Sequence, residues 1–248
     1  GSAYGLWLNV KGKVVADSFV LRGAGAKEFW LGSYFSPAAA VRERLESHII
    51  ADDVTIEDAT AAWAGVSVWG AATARAPSGV FRFRGRRSRE QNEEWIFPEE
   101  KLDAVRASLA DARELNGDEL ARRRIDAAIP AIPTDVGPGD LPNEGGLEAA
   151  VSYTKGCYLG QEVMARLKSM GQIRRRLLRV AVTGQHVPIL PAPIFVGDRR
   201  VGDLRSAVSG PAGGFIGLAM LSLLQVKADS ALAFAPEGPP SLRLLDTP

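Results

Sequence analysis

Between Pro130 and Gly146 the sequence reads PAIPTDVGPGDLPNEGG, with four prolines, four glycines and no hydrophobic period. It reads as a long ordered loop, because proline removes a backbone donor and glycine carries the largest backbone entropy loss on folding. A stretch of this length without secondary structure of its own is uncommon inside a compact domain, and where it is ordered it is usually functional. It therefore divides the chain: mixed helix and strand patterns before it, one helical segment and then a strand-rich tail after it.

Before the loop, YGLWLNVKGKVVADSFVL reads as a hairpin turning at Lys11-Gly12-Lys13, where Gly12 can supply a positive φ. SPAAAVRERLESHII starts like a helix, with Ser36 as N-cap, Pro37 at the first helical position, and Val41, Leu45 and Ile49 recurring every four residues. DDVTIEDAT and AWAGVSVWGA are β-rich, and VFRFRGRR and EEWIFP read as two strands around an arginine-rich loop. PEEKLDAVRASLADAREL predicts a helix ended by Asn116-Gly117, and a shorter helix is expected from about Glu119 to Ala127. After the loop, QEVMARLKSMG is helical, and RRRLLRVAV, PIFVGDRRVGDLRSAV, GFIGLAML and LAFA are short strands with Gly-Asp turns, the pattern of a small barrel or sandwich. The whole is an α+β chain.

Composition narrows the chemistry. A formal net charge of +1 creates no global field toward nucleic acid or membrane. The single cysteine, Cys157, excludes an internal disulfide and a cysteine-rich zinc or iron–sulfur site, and His48 and His186 are the only histidines, so no metal ligands are assigned. One thiol fits a reducing compartment. No apolar run approaches the length of a membrane span, and a leading Gly1-Ser2 is of the kind left by cloning. A monomer is expected.

Cys157 precedes a helix start near Gly160, and Lys155 is two residues away; both favour a thiolate. The plain alternative is a small buried apolar residue. Gly156 and Gly160 permit a close backbone approach. Asp126, at the end of the short helix after Arg122-Arg123-Arg124, could pair with a neighbouring arginine or accept hydrogen bonds from a ring N–H and amino group. Asp17, if it points inward from its strand, is a costly charge unless partnered. The arginine runs 82–89, 122–124 and 174–176 are solvated faces or an anion site.

KGCYLGQE (Lys155–Glu162) closely resembles the K-G-C-[YF]-x-G-Q-E signature of the YgfZ-type folate-binding proteins, relatives of the glycine-cleavage T-protein. LNVKGKVVADSFV, RRRIDAAIPAIPTDV, LPNEGGLEAAVSYTKGCY and VGDRRVGDLRSAV resemble further family segments in the same order, so the resemblance covers nearly the whole chain. It departs in three places: the family's opening segment before the hairpin is missing, the transferase's tandem Asp pair becomes Ala16-Asp17, and a pterin-facing Glu becomes Asp126.

The resemblance implies a GcvT-like fold over residues 1–173, with ferredoxin-like subdomains around a central folate cavity, and a β-barrel over 174–248. It implies tetrahydrofolate or a one-carbon derivative as cofactor, held by Asp126, Arg84, Arg174, Gly156, Tyr158 and Gln161. Cys157, Lys155 and Asp17 are the expected reactive residues. The implied role is accessory rather than enzymatic: support of iron–sulfur client enzymes, tRNA-modifying ones included, in a bacterial cytoplasm, without direct nucleic-acid binding or a membrane. The alternative is a folate-dependent one-carbon transferase.

Overall fold

The computed structural model describes residues 1–70, 75–211 and 213–247, with the backbone alone at Met170. The hairpin forms as expected: β1 (Ser2–Leu8) pairs antiparallel with β2 (Val14–Arg22), and Gly12 turns the chain at φ 69°. A third strand, β3 (Phe29–Gly32), completes the first sheet. α1 (Ala38–Glu46) follows. Pro37 rather than Ser36 is its N-cap residue, because the Ser36 hydroxyl is engaged elsewhere, donating to Asp17 Oδ1 (2.6 Å). DDVTIEDAT forms no strand; its polar residues are exposed and give no apolar face to bury.

The second sheet contains β4 (Trp63–Trp69), β5 (Phe81–Arg84) and β6 (Asn92–Pro98), in the order β4-β6-β5. Its core is Val68, Trp95, Phe97 and Val105, the last from α2 (Leu102–Ser108). α2 is shorter than the apolar stripe suggests. Asn116 does not end it but starts α3 (Gly117–Asp126), through a capping box with Glu119. The aperiodic stretch then leads to α4 (Gln161–Met170) and the barrel sheet: β7 (Arg175–Val182), β8 (Ala192–Val196), β9 (Arg199–Ser209), β10 (Phe215–Ser222) and β11 (Leu242–Leu244), ordered β11-β7-β10-β9-β8. LAFA contributes single bridges, Phe195 to Ala233 and Leu232 to Leu242, rather than a strand.

The barrel has two apolar faces. Leu178, Val180, Ile194, Leu204 and Leu221 fill its inside. Leu177, Val208, Leu218 and Met220 face outward and join Leu8, Val14, Ile125, Val136 and Met164 in one cluster. That shared cluster fixes the barrel against α3, α4 and the first hairpin. Apolar burial is non-directional, so polar contacts set the orientation.

Those contacts come from the aperiodic loop. Three of its carboxylates, Asp135, Asp140 and Glu144, are buried. Each takes one loop amide and at least one arginine. Asp135 accepts from Ala131 N (2.8 Å) and from Arg124 of α3 (2.5 Å). Asp140 accepts from Gly137 N (3.0 Å) and from Arg205 of β9 (2.5 Å). Glu144 accepts from Leu141 N (2.8 Å) and, at both oxygens, from Arg175 of β7 (3.1 and 3.0 Å). Arg175 also reaches Asp140 (3.2 Å), and Ser206 links Arg124 to Asp135. Charge-assisted and two-pronged bonds of this kind hold both distance and orientation.

Breaking a buried pair strands a charge and typically costs about 3–5 kcal/mol. Asp135→Ala is expected to destabilise the protein by that amount in denaturant unfolding, with much of the loss recovered in Arg124→Met/Asp135→Leu. Burial opposes ionisation of Asp140, but the Arg205 hydrogen bond, the Gly137 amide and the charges of Arg205 and Arg175 outweigh it and hold its carboxyl below the usual value. A lowered folded-state pKa contributes stability above the unfolded value of about 3.9, lost as pH falls through the folded one. Unfolding free energies measured from pH 7 down to pH 2 should show a shallower acid limb for Asp140→Asn than for the wild type.

Candidate functional site

The residues from Ser152 to Gly160 form a loop that ends on α4. Ser152 Oγ accepts from Lys155 N (3.2 Å), and Gln161 Oε1 accepts from Tyr158 N (3.3 Å), closing the loop on the first residue of α4. Gly160 precedes the helix at φ 78°. A Cβ there would lie 2.7 Å from Gly12 Cα and 2.8 Å from the Asn9 carbonyl oxygen. The signature loop and the hairpin turn therefore meet backbone on backbone. Asn9 shapes the turn by accepting from Lys11 N and Lys13 N (2.9 and 3.1 Å), and buried Met164 packs beneath. Two glycines far apart in sequence serve one contact.

Beside this contact is an open groove of about 420 Å³ lined by Tyr153, Tyr158, Gln161, Ala165, Lys168 and Ser169. Lys155 Nζ lies 5.1 Å from the Tyr158 ring centroid, and Lys168 Nζ lies 4.3 Å from that of Tyr153. Each ring face thus carries a cation. The Tyr158 hydroxyl is buried and has no hydrogen-bond partner. Burial, and then the neighbouring Tyr153, push its pKa up, so it is a neutral donor at neutral pH. An unmet buried donor marks a place where an acceptor is missing. Cys157 is exposed, which sets aside the reading of a small buried residue. Aromatic faces, a free donor and flanking ammonium groups suit a flat ring with an anionic tail.

Lys155, Gly156, Cys157, Tyr158 and Gln161 thus fall on one loop and its groove. Gly156 is exposed, with nothing within 4 Å of the place a Cβ would occupy. Asp17 does point inward and is partnered: Tyr4 Oη donates to Oδ2 (2.9 Å), and Ser33 and Ser36 hydroxyls to Oδ1 (both 2.6 Å). Asp126 is exposed at the end of α3, and its carboxylate makes no hydrogen bond among the described residues; Arg123 pairs instead with Glu90 (2.9 Å). Arg84 is exposed at the end of β5, and Arg174 is exposed just before β7. No hydrogen bond or ion pair joins these three to the Cys157 loop among the described residues. Tyr153 and Lys168 were not anticipated. Helical spacing was the available signal, since Gln161, Ala165 and Lys168 share one face of α4.

Comparison with known proteins places the chain by sequence and by fold. The C-terminal β-barrel domain of CAF17 matches residues 174–239. The mitochondrial iron–sulfur cluster assembly factor IBA57 of Mus musculus is 30% identical over 200 residues, covering 74% of this chain and 54% of the relative. An IBA57 homolog of Cryptococcus neoformans is 26% identical over 212 residues, covering 71% and 56%. The tRNA-modifying protein YgfZ of Sodalis glossinidius is 31% identical over 147 residues, covering 54% and 45%. The chain spans about half the length of these relatives. The glycine cleavage system aminomethyltransferase T of Bartonella henselae superposes with a TM-score of 0.77 at 16% identity, over 99% of this chain and 74% of that one.

The chain is therefore an α+β protein of the aminomethyltransferase fold with a terminal β-barrel. Its sequence is similar to those of IBA57 and YgfZ proteins over about half of their length. No helix among the described residues is long and apolar enough to cross a membrane.

Gly160→Ala should cost at least about 2 kcal/mol in denaturant unfolding, from the left-handed backbone and the overlap with Gly12. Gly156→Ala, in open space, should stay within about 0.5 kcal/mol of the wild type.

Proposed function

We propose that the protein binds tetrahydrofolate, or a one-carbon derivative of it, and acts as an accessory factor in the synthesis or repair of iron–sulfur clusters in client enzymes, tRNA-modifying ones among them. The observation that carries this reading is the groove at the signature loop, where two lysine-capped tyrosines and an unpartnered hydroxyl lie beside the exposed Cys157. A folate offers what those groups lack: ring acceptors for a phenol, a flat face for tyrosine, and carboxylates for ammonium groups. The free carboxylate of Asp126 accepts from the pterin N–H and amino edge, and the exposed Arg84 or Arg174 meets the glutamate tail. The iron–sulfur role rests on the relatives, which are an iron–sulfur cluster assembly factor and a tRNA-modifying protein by name. Cys157 and Lys155 then face the client. A transferase reading would use Asp17 as the acid, but three hydroxyls already occupy its oxygens.

Calorimetric titration with tetrahydrofolate tests the binding step. Tyr158→Ala and Asp126→Ala are each expected to weaken affinity by about tenfold or more, about 1.4 kcal/mol. Unchanged affinity in both variants would refute the folate assignment. For the cellular role, Cys157→Ala should fail to restore iron–sulfur enzyme activity in cells lacking the protein, while retaining folate affinity.

A further inference from the structure

The carboxylates of this chain are unevenly spread. Between Glu148 and Asp198 the only acidic residue is Glu162, against Lys155, Arg166, Lys168, Arg174, Arg175, Arg176 and Arg179. Most of these cations have a use inside the protein. Arg166 pairs with Glu162 (3.1 Å), Arg175 with Glu144 (3.0 Å) and Arg179 with Asp246 (2.6 Å). Lys155 and Lys168 lie over the tyrosine rings of the groove. Arg174 and Arg176 are left. Both are exposed, and among the described residues neither guanidinium has a hydrogen bond or a carboxylate within 4.0 Å.

The backbone places a large apolar side chain beside them, at one end of the barrel. β7 and β10 pair Arg175 with Ser222 and Arg176 with Leu221, and the Leu223 amide donates to the Arg174 carbonyl (2.9 Å), so the ladder runs one step past both strands. Leu224 follows directly and is 79% exposed. The turn that shows it is well tied. Val226 N donates to the Ser222 carbonyl (3.0 Å), Lys227 N donates to Ser230 Oγ (2.8 Å), and the Val226 side chain is buried in the barrel interior. One firm turn thus buries a valine and displays a leucine two residues away. Lys227 is exposed and adds a third cation, and neither it nor the exposed Asp229 beyond it makes an ion pair among the described residues.

Residues two apart on a strand point to the same side, so Arg174 and Arg176 repel each other, and no carboxylate of the chain offsets this. An apolar side chain held rigidly in such a cluster is an anchor already set for a partner. Carboxylates around an apolar contact would answer both features at once. A nucleic acid answers them less well: a net charge of +1 draws no polyanion from a distance, and residues 222–230 include no aromatic ring for a base to stack on. We propose that Arg174, Arg176 and Lys227, set around Leu224, form a docking surface for an acidic segment of a partner protein, with an apolar side chain of that segment on Leu224. Arg84 is then left to meet the folate tail. The surface uses no residue lining the groove beside Cys157 and stands independently of the folate reading.

An acetylated peptide of glutamates around one leucine, Glu-Glu-Glu-Leu-Glu-Glu-Glu, is the probe. Titrated into the ¹⁵N-labelled full chain, it should move the Arg176 and Leu224 amide resonances saturably, with affinity falling about tenfold as salt rises from about 50 to about 300 mM. Arg176→Glu should weaken binding about tenfold and Leu224→Ala about threefold. Arg22→Glu, the same charge change at an exposed arginine of the first sheet, should leave affinity within about twofold. Absence of a saturable shift, or an equal loss in Arg22→Glu, would overturn the surface. A uridine heptamer or phosphatidylserine vesicles binding more tightly than the peptide through Arg176 would overturn the protein partner, in favour of a nucleic acid or a membrane. Tetrahydrofolate affinity should be unchanged in Arg176→Glu and Leu224→Ala; a parallel loss would overturn the claim of a separate surface.

Discussion

Three buried carboxylates in an aperiodic loop hold this structure in register. Asp135, Asp140 and Glu144 each fold the loop locally, by accepting from an amide three or four residues upstream, and each binds an arginine from another element. The local bond braces a segment whose prolines and glycines interrupt any long helix or strand, and that of Glu144 caps the single 3₁₀ turn described in it, Pro142–Gly145. The distant bond sets where α3, β7 and β9 lie. Neither half suffices alone: without the loop amides the carboxylates would be mobile, and without the arginines their burial would be too costly.

The functional region depends on that arrangement through ordinary backbone contacts. Val14 N donates to the Asp140 carbonyl (3.0 Å), which ties the start of β2 to the loop. Ser36 joins Asp17 to the Ile132 carbonyl, so α1 and the first sheet are held from the other end of the same loop. With β2 fixed, the turn at Gly12 is fixed, and Gly160 has a surface to rest on. The position of the Cys157 loop is thus set by groups that never touch it.

Much of the architecture was legible because it rests on local signals. The Gly12 turn, β4 to β6, the helix after Gly160 and the strand-rich tail follow from period and turn residues. The errors share a cause. Ser36 reads as an N-cap, but a buried carboxylate claims its hydroxyl, and Asn116, read as the end of one helix, caps the start of the next. β3 lacked any alternation of its own, since Trp30 packs on Trp63 across the sheet junction rather than on a local partner. The signature loop could be found from its residues, but the groove could not. Tyr153 and Lys168 flank the motif, and only the folded backbone brings them together. The loop carboxylates were visible as acidic residues, yet their arginines come from positions up to 65 residues away, and pairing at that range leaves no trace in a single sequence.

The arginines show how one residue type serves opposite ends under a nearly neutral total charge. Arg124, Arg175 and Arg205 are matched with carboxylates and function as joints. Arg86 and Arg87 are matched with rings, those of Tyr4 and Tyr34, which steady the guanidinium plane. The difference follows from the sequence around them. The proline–glycine loop offers carboxylates free to turn inward. The FRFRGRR strand, by contrast, places aromatic residues on its inner face, so the arginines just past its end find π-faces instead. Cations committed to carboxylates tie distant elements together, and cations seated on rings order the junction of the first two sheets.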